Sequence, residues 1–364
     1  MREFRISEVC NVISGGTPST KISSYWNGDV VWLTPKDLSN NKSKYIYDSE
    51  NKITEEGLSR SSTQLLPPNT VLLSSRAPIG YLAIAGKSLC TNQGFKSMVC
   101  NQDLIIPEYL YYLLQTKVED FNNISTGSTF KELSSSLLKQ YKISIHDLPE
   151  QSHIVDILGS IDNCIENNQL TCDKLEELAR QKYLLRISTS TKKIALETII
   201  TIFDSQRIPL SSRERFDRKG NFPYYGATGI LDYIDSYLFD GEYVLIAEDG
   251  TVIDNDGYPI VQIINDKFWV NNHAHILQGT NGYSNALLYV VLKCLNIQKA
   301  VTGAVQLKVN QANLCKLEIP NLNSRTVESL NNEIVPLFQK IQDLKQKNAK
   351  LNELKQIYLK KFFG

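Results

Sequence analysis

The sequence predicts an α+β fold made from one unit used twice: two mixed sheet-and-helix modules, separated by two long helices that form an antiparallel coiled coil within the chain. Three observations carry this reading. They are an internal repeat at constant offset, a heptad seam of apolar residues in each copy, and strand-like runs cut by turn signals in the globular portions. Shifting the 364-residue chain by 176 positions aligns Thr126-Gly127 with Thr302-Gly303, Lys117 with Lys293, Ile143 with Ile319, Lys174-Leu175 with Lys350-Leu351 and Glu177-Leu178 with Glu353-Leu354. No gap is needed from Pro107 to about Tyr183. A constant offset over that span means one unit present twice, and two long units do not stack into a solenoid.

Within each copy the elements follow in the same order. Pro107 to Phe121 reads as a helix, with Pro in its first turn and apolar residues at Leu110, Leu113, Leu114 and Val118. Its counterpart runs from Ser284, an N-cap residue type, to about Ile297. Short strands follow at Tyr141–Ile145 and Lys316–Ile319. Long helices come next, over 151–185 and 327–361. Ile154, Leu158, Ile161, Ile165, Asn168, Cys172, Leu175 and Ala179 alternate at spacings of four and three, a coiled-coil seam. The offset carries this seam to Leu330, Ile334, Leu337, Ile341, Leu344, Asn348, Leu351 and Lys355. Each seam holds one Asn at a different level of the repeat, and a polar residue there fixes register at some cost in stability. Matching seams in one molecule favour internal pairing; a coiled-coil homodimer is the alternative.

The globular portions carry strand-like runs at Val30–Leu33, Val71–Ser74 and Tyr81–Ala85 in the first copy. The second has Tyr243–Ala247, Pro259–Ile264 and Phe268–Val270, with Asp249-Gly250 and Asp256-Gly257 as turns. The implied domain limits are 1–150, a helix over 151–187, 188–323, and a final helix over 324–364.

Composition excludes several classes. Thirty-nine basic and 39 acidic residues give zero formal charge, which argues against a wholly basic nucleic-acid-binding surface. The last segment, 321–364, departs from this balance with 8 basic against 4 acidic residues. Neither an apolar leader nor a membrane span is legible. Seven cysteines without a C-x-x-C pair fit reduced thiols, hence a cytoplasmic protein. No P-loop or G-x-G-x-x-G string occurs, and no nucleophile–base pairing is legible, so a catalytic role and a bound cofactor or metal are not expected. His273 and His275 stand two apart, a spacing that puts both on one face of a strand; polar contacts are favoured over a metal, since no third ligand spacing accompanies them.

Candidate contact residues for a nucleic acid gather in a few strings. Arg207, Arg213, Arg215, Arg218 and Lys219 face only Glu214 and Asp217, a net of plus three in thirteen residues. Phe222-Pro223-Tyr224-Tyr225-Gly226-Ala227-Thr228-Gly229 follows, and Asn272, His273 and His275 stand further on. In the first copy the matching strings are Thr34-Pro35-Lys36, Ser74-Ser75-Arg76 and Thr91-Asn92-Gln93-Gly94-Phe95-Lys96. Arg and Lys take phosphate oxygens or guanine, and Asn or Gln pairs with adenine. The candidates are therefore Thr34, Lys36, Ser75, Arg76, Gln93, Lys96, Arg207, Arg213, Arg215, Tyr224, Tyr225, Thr228, Asn272, His273 and His275.

With these residues in view, the chain resembles the DNA specificity subunit of Type I restriction-modification systems along essentially its whole length. The resemblance rests on Gly15-Gly16-Thr17-Pro18 followed by Tyr25-Trp26 and Val31-Trp32-Leu33-Thr34, on the Thr-Gly pairs, and on Leu148-Pro149-Glu150-Gln151 before the first long helix. In the second half it rests on Tyr224 to Gly229, Asp240 to Ile246 and Asn271 to His275. It implies two target-recognition domains, each reading one half of a split, asymmetric DNA site, with the helices fixing the gap. It also implies methyltransferase subunits that use S-adenosylmethionine, and a translocating, cleaving subunit that uses ATP and Mg; the chain itself would do no chemistry. The second long helix is preceded by Pro320-Asn321-Leu322-Asn323 in place of a Pro-Glu-Gln string, which implies asymmetric docking. Two other roles remain open on the sequence: recognition for a combined methylation-cleavage enzyme, and a non-DNA coiled-coil adaptor.

Overall fold

The computed structural model describes residues 1–41, 43–126, 131–188, 191–303 and 306–364. The chain divides into two units, Met1–Asn168 with Lys347–Gly364, and Gln169–Gln346. Both long helices therefore contribute to both units.

In the first unit a five-stranded sheet is formed by β1 (Cys10–Ser14), β2 (Tyr45–Ile46), β3 (Val71–Ser75), β4 (Ile79–Ala85) and β5 (Phe95–Cys100), in spatial order β1-β5-β3-β4-β2. The strands alternate faces. Val71, Leu73 and Met98 enter a core with α1 (Pro107–Gln115), while Leu72, Ala83 and Phe95 enter a second core on the other side. The first core also holds Ile154 and Leu158 of α2 (Leu148–Ile187) and Leu359 and Phe363 of the C-terminal helix. Within this unit the two long helices run antiparallel. Asp162 meets Lys355 at 2.8 Å, and Asn168 Nδ2 donates to Asn348 Oδ1 at 2.7 Å. Asn348 Nδ2 in turn donates to the Ile165 carbonyl. The two seam asparagines occupy different levels of the repeat, and antiparallel pairing is what sets them opposite each other.

The second unit repeats the plan. Its six strands are β6 (Ile200–Ile202), β7 (Lys219–Tyr225), β8 (Ile230–Ile234), β9 (Phe239–Ala247), β10 (Val261–Val270) and β11 (Ala274–Gly279), in order β6-β11-β9-β10-β7-β8. The first four places correspond to β1-β5-β3-β4 of the other unit. α3 (Ser212–Asp217) precedes β7, and α4 (Asn285–Lys293) packs its Leu287, Leu288, Val290 and Val291 into a core with Leu330, Ile334, Phe338, Ile341 and Leu344 of α5 (Ser324–Phe363). Cys172, Ala179 and Tyr183 of α2 join this core, with Leu175 and Leu337 packed at its margin. Here too the helices are antiparallel: Cys172 faces the Ile341 carbonyl, and Lys182 pairs with Glu333 at 2.6 Å. Lys182 and Arg186 together hold the Glu333 carboxyl down to about 2. Leu351 and Ile165 of the first unit are only partly buried, as are Leu175 and Leu337 of the second.

Three sequence expectations change. The helix over 107–121 is two helices, Pro107–Gln115 and Val118–Ile124. Thr116 ends the first, its hydroxyl bonding back to the Leu113 carbonyl. The two strands expected at 259–264 and 268–270 are one, because Asn265, Asp266 and Lys267 keep the ladder with Glu242, Gly241 and Asp240. The stretch 222–225, taken above for its candidate contacts, lies in β7. The long helices are 40 residues each, and the first begins at Leu148, taking in the Leu148-Pro149-Glu150 string expected before it. α5 continues through Pro336, at a cost of about 3 kcal/mol in a helix interior. The apolar face around it, Ile334, Phe338 and Ile341, is fully packed and holds the helix together. All seven cysteines are free, and among the described residues no helix is long and apolar enough to cross a membrane.

Candidate nucleic-acid interface

In the first unit the predicted residues come together at one end of the sheet. Gly15 lies against the end of the 90–91 strand, where a Cβ would stand 2.1 Å from the Asn92 carbonyl oxygen, so only glycine fits. Gly16 N–H donates to the Thr91 carbonyl, Asn92 N–H to the Leu33 carbonyl, and the Thr17 hydroxyl to Gln93. Thr34 caps the helix Pro35–Asn40 in a reciprocal arrangement with Asp37. The loops holding Thr17, Thr34, Lys36 and Gln93 are thus neighbours. Lys36 and Gln93 are exposed, and Lys36 pairs with Glu50 at 2.7 Å. Below them Ser75 and Lys96 are buried. Ser75 Oγ has no hydrogen-bond partner, and Lys96 lies 3.6 Å from Glu132. Burial lowers the Lys96 ammonium and Glu132 only partly offsets this. Arg76, partly exposed, faces the same carboxylate at 3.9 Å.

The second unit sorts its candidates differently, and several are not surface residues. Tyr224 is fully buried, with its hydroxyl accepting from Leu210 N–H. Arg215 lies over the Tyr224 ring and donates to the Leu210 carbonyl. Arg218 covers the Trp269 ring and pairs with Asp235, and Lys219 pairs with Asp232. Tyr225 is half-buried, edge-on to Phe268. The surface charge of this basic string is therefore smaller than the residue count suggested. Arg213, Thr228 and Asn272 are exposed, and Phe216, on the same face of α3 as Arg213, is 74% exposed. Phe216 was missed, although its i+3 spacing from Arg213 was legible.

Arg207 and His275 belong to an internal charge cluster rather than to the surface. Arg207 contacts Glu248 at 2.7 Å, Asp204 at 3.4 Å and the Ala274 carbonyl at 2.8 Å. His275 is 1% exposed. Its Nδ1 is 2.5 Å from Asp204 and its Nε2 is 2.8 Å from the Val309 carbonyl. Both ring nitrogens face acceptors, which requires a proton on each. Burial opposes that charge, but the hydrogen bond and charge of Asp204 prevail and raise the imidazole. Burial likewise opposes the Asp204 charge, and His275, the Ile276 N–H and Arg207 overcome it and hold the carboxyl below its ordinary value. Asp204, Glu248 and His275 bring ligand-type atoms within 4.8 Å of one another. Arg207 bridges the two carboxylates and Lys308 takes the other Glu248 oxygen at 3.3 Å, so these acids already have cationic side-chain partners. His273 is not on the strand with His275; it precedes β11 and pairs with Asp249 at 2.6 Å. The two imidazoles hydrogen-bond to different carboxylates, Asp249 and Asp204. Asp204 and Lys308 carried no sequence signal of their own.

The family model described as the Type I restriction modification DNA specificity domain matches residues 1–177 and again 190–358. The chain belongs to this specificity-domain family. Each match takes in one of the two largest sheets and most of one long helix. The Type I restriction enzyme MjaIX specificity subunit of Methanocaldococcus jannaschii is 44% identical over 181 residues, 49% of this chain and 42% of that protein. The aligned region is thus less than half of that relative's length. The Type I restriction enzyme EcoprrI specificity subunit of Escherichia coli is 25% identical over 340 residues, 87% of this chain and 83% of its own length. Among solved structures, the Type-I restriction-modification system S subunit from M. genitalium has the same fold, with a TM-score of 0.57 at 17% identity, covering 100% of this chain and 96% of that one.

Proposed function

We propose that this chain is the sequence-reading component of a Type I restriction-modification complex. Each specificity domain reads one half of a split, asymmetric DNA site, and the chain directs methylation and restriction that partner subunits carry out. The observation that carries this reading is the double family match on two units whose sheets correspond in their first four strands. In the first unit the loops around Thr34, Lys36, Gln93 and Arg76 form one sheet end. In the second the exposed Arg213, Thr228 and Asn272 are the corresponding contacts. Buried Ser75, Lys96, Arg207, Tyr224 and His275 shape those surfaces from beneath. In this reading the chemistry lies on partners: S-adenosylmethionine on the methyltransferase subunits, ATP and Mg on the restriction subunit.

The zero net charge fits an isolated chain with weak DNA affinity, the partners completing the electrostatic clamp. Binding of the chain with its methyltransferase subunits to duplex DNA across a salt series tests the reading. Affinity must fall as salt rises and must depend on sequence. A complex that binds no DNA, or a free chain with nanomolar non-specific affinity at physiological salt, contradicts it.

A further inference from the structure

The two units carry the same backbone junction with opposite side-chain charge. In the first, Leu133 N–H donates to the Ser75 carbonyl, Ser75 N–H donates to the Gly94 carbonyl, and Thr126 pairs reciprocally with Glu132. In the second, Val309 N–H donates to the Glu248 carbonyl, Glu248 N–H donates to the His273 carbonyl, and Thr302 pairs reciprocally with Lys308. The bonds make Ser75 equivalent to Glu248 and Arg76 to Asp249, and strand register makes Lys96 equivalent to His275. Gly303 turns the second junction at φ +93°, where a Cβ would stand 2.1 Å from the Gln306 carbonyl oxygen. Gly127 lies outside the described residues.

On this shared frame the polarity is reversed. The first unit sets a strand-end cation, Arg76, against an acid on the returning segment, Glu132, at 3.9 Å, with buried Lys96 on the same acid. The second sets a cation on the returning segment, Lys308, against Glu248 at 3.3 Å, while the strand-end position holds Asp249, paired with His273. Backbone bonds seat the segment in both copies, so seating alone does not need either polarity. What the side chains do share is an outward cation braced by an acid: Arg76 is 37% exposed and Lys308 50% exposed.

We propose that this junction is where each unit sets one cation on the DNA backbone, from opposite elements: Arg76 at the strand end in the first unit, Lys308 on the returning segment in the second. Glu132 and Glu248 are positioning residues, each fixing the direction of its cation. The inference rests on the DNA-reading function proposed above and names Lys308 as a contact that no sequence motif marks. Phosphate contacts set register on the duplex and carry no base information.

The test uses the full complex with its methyltransferase subunits and a duplex carrying the mapped site. Arg76→Ala and Lys308→Ala should each reduce the salt slope of binding by about one, and affinity about fivefold at 0.15 M salt. The double variant should lose about two from the slope. Lys308→Arg should keep the wild-type slope, and each alanine variant should methylate the wild-type sequence at a lower rate. Because Lys308 is exposed, its variants keep the fold, which thermal melting checks. A wild-type slope in either alanine variant, or methylation of a different sequence, overturns the inference alone. A wild-type complex without salt-dependent DNA binding overturns the parent reading and this inference with it.

Discussion

Asp162 joins the two long helices to the recognition domain of the first unit, and replacing it measures how strongly they are held. Its carboxylate is 12% exposed, 2.8 Å from Lys355 on α5 and 2.7 Å from the Tyr112 hydroxyl on α1. Asp162→Ala leaves the Lys355 ammonium, itself only 13% exposed, without its counter-ion, a loss of about 3–5 kcal/mol for a buried pair. The Tyr112 hydroxyl loses its acceptor and keeps only the bond it receives from Lys44 Nζ at 3.4 Å, which adds about 1 kcal/mol. Against this, Lys355 keeps a cation–π contact with the Tyr112 ring at 5.4 Å, worth about 1–2 kcal/mol when desolvated, and its long stem can carry the ammonium to water. The net expectation is about 3 kcal/mol. Lys355→Met added to Asp162→Ala removes the stranded charge, so the double variant should be more stable than the sum of the single losses implies, by about 1–3 kcal/mol. Urea unfolding at pH 7 of the four proteins in the cycle gives both numbers. A single-variant loss under about 1 kcal/mol, or additive losses, would refute the claim that this pair ties the helices to the domain.

Further outcomes follow from the same reasoning. Arg207→Ala removes one cation from Asp204 and Glu248, which keep His275 and Lys308, and should destabilise the second unit by about 1.5–3 kcal/mol, seen as loss of amide protection confined to Gln169–Gln346; equal loss in both units contradicts it. The Asp204–His275 pair predicts a stability contribution with two limbs. His275, raised, contributes fully below about pH 6.5 and loses that contribution as pH rises through its folded value. Asp204, depressed, contributes above about pH 4 and loses that contribution as pH falls through its folded value. Urea midpoints across pH should therefore lose both limbs in Asp204→Asn; a profile unchanged by the substitution rules the pair out. Deleting one heptad from both long helices should change the spacer between DNA half-sites and leave each half-site as it was. Altered half-site sequences contradict the helices' role as a spacer.

The repeat, the long helices and the Ser284 cap were legible because each depends on local spacing: Ser284 Oγ accepts from Leu287 N–H as its residue type predicts. The strand Val261–Val270 was read as two because three polar residues interrupt the apolar run, yet their backbone groups pair regardless of side chain. β7 was not read as a strand, since Phe222 to Gly229 was taken for its candidate contacts; Pro223 fits there because the ladder with β10 involves only Tyr224 and Tyr225. The candidate site was less legible than the fold. Counting charge in a string cannot show that Arg207 answers Glu248, 41 positions away, or that Arg218 answers Asp235. Partners distant in sequence decide which cations stay exposed: beside the same Glu248, Lys308 is 50% exposed and Arg207 14%.

The central claim is that this chain selects the DNA sequence that is modified. Genome-wide mapping of adenine methylation, in a host expressing the methyltransferase subunits with and without this chain, tests it most directly. Methylation at one split, asymmetric sequence that disappears when the chain is omitted is the predicted result; a methylation pattern unchanged by its omission would contradict the account.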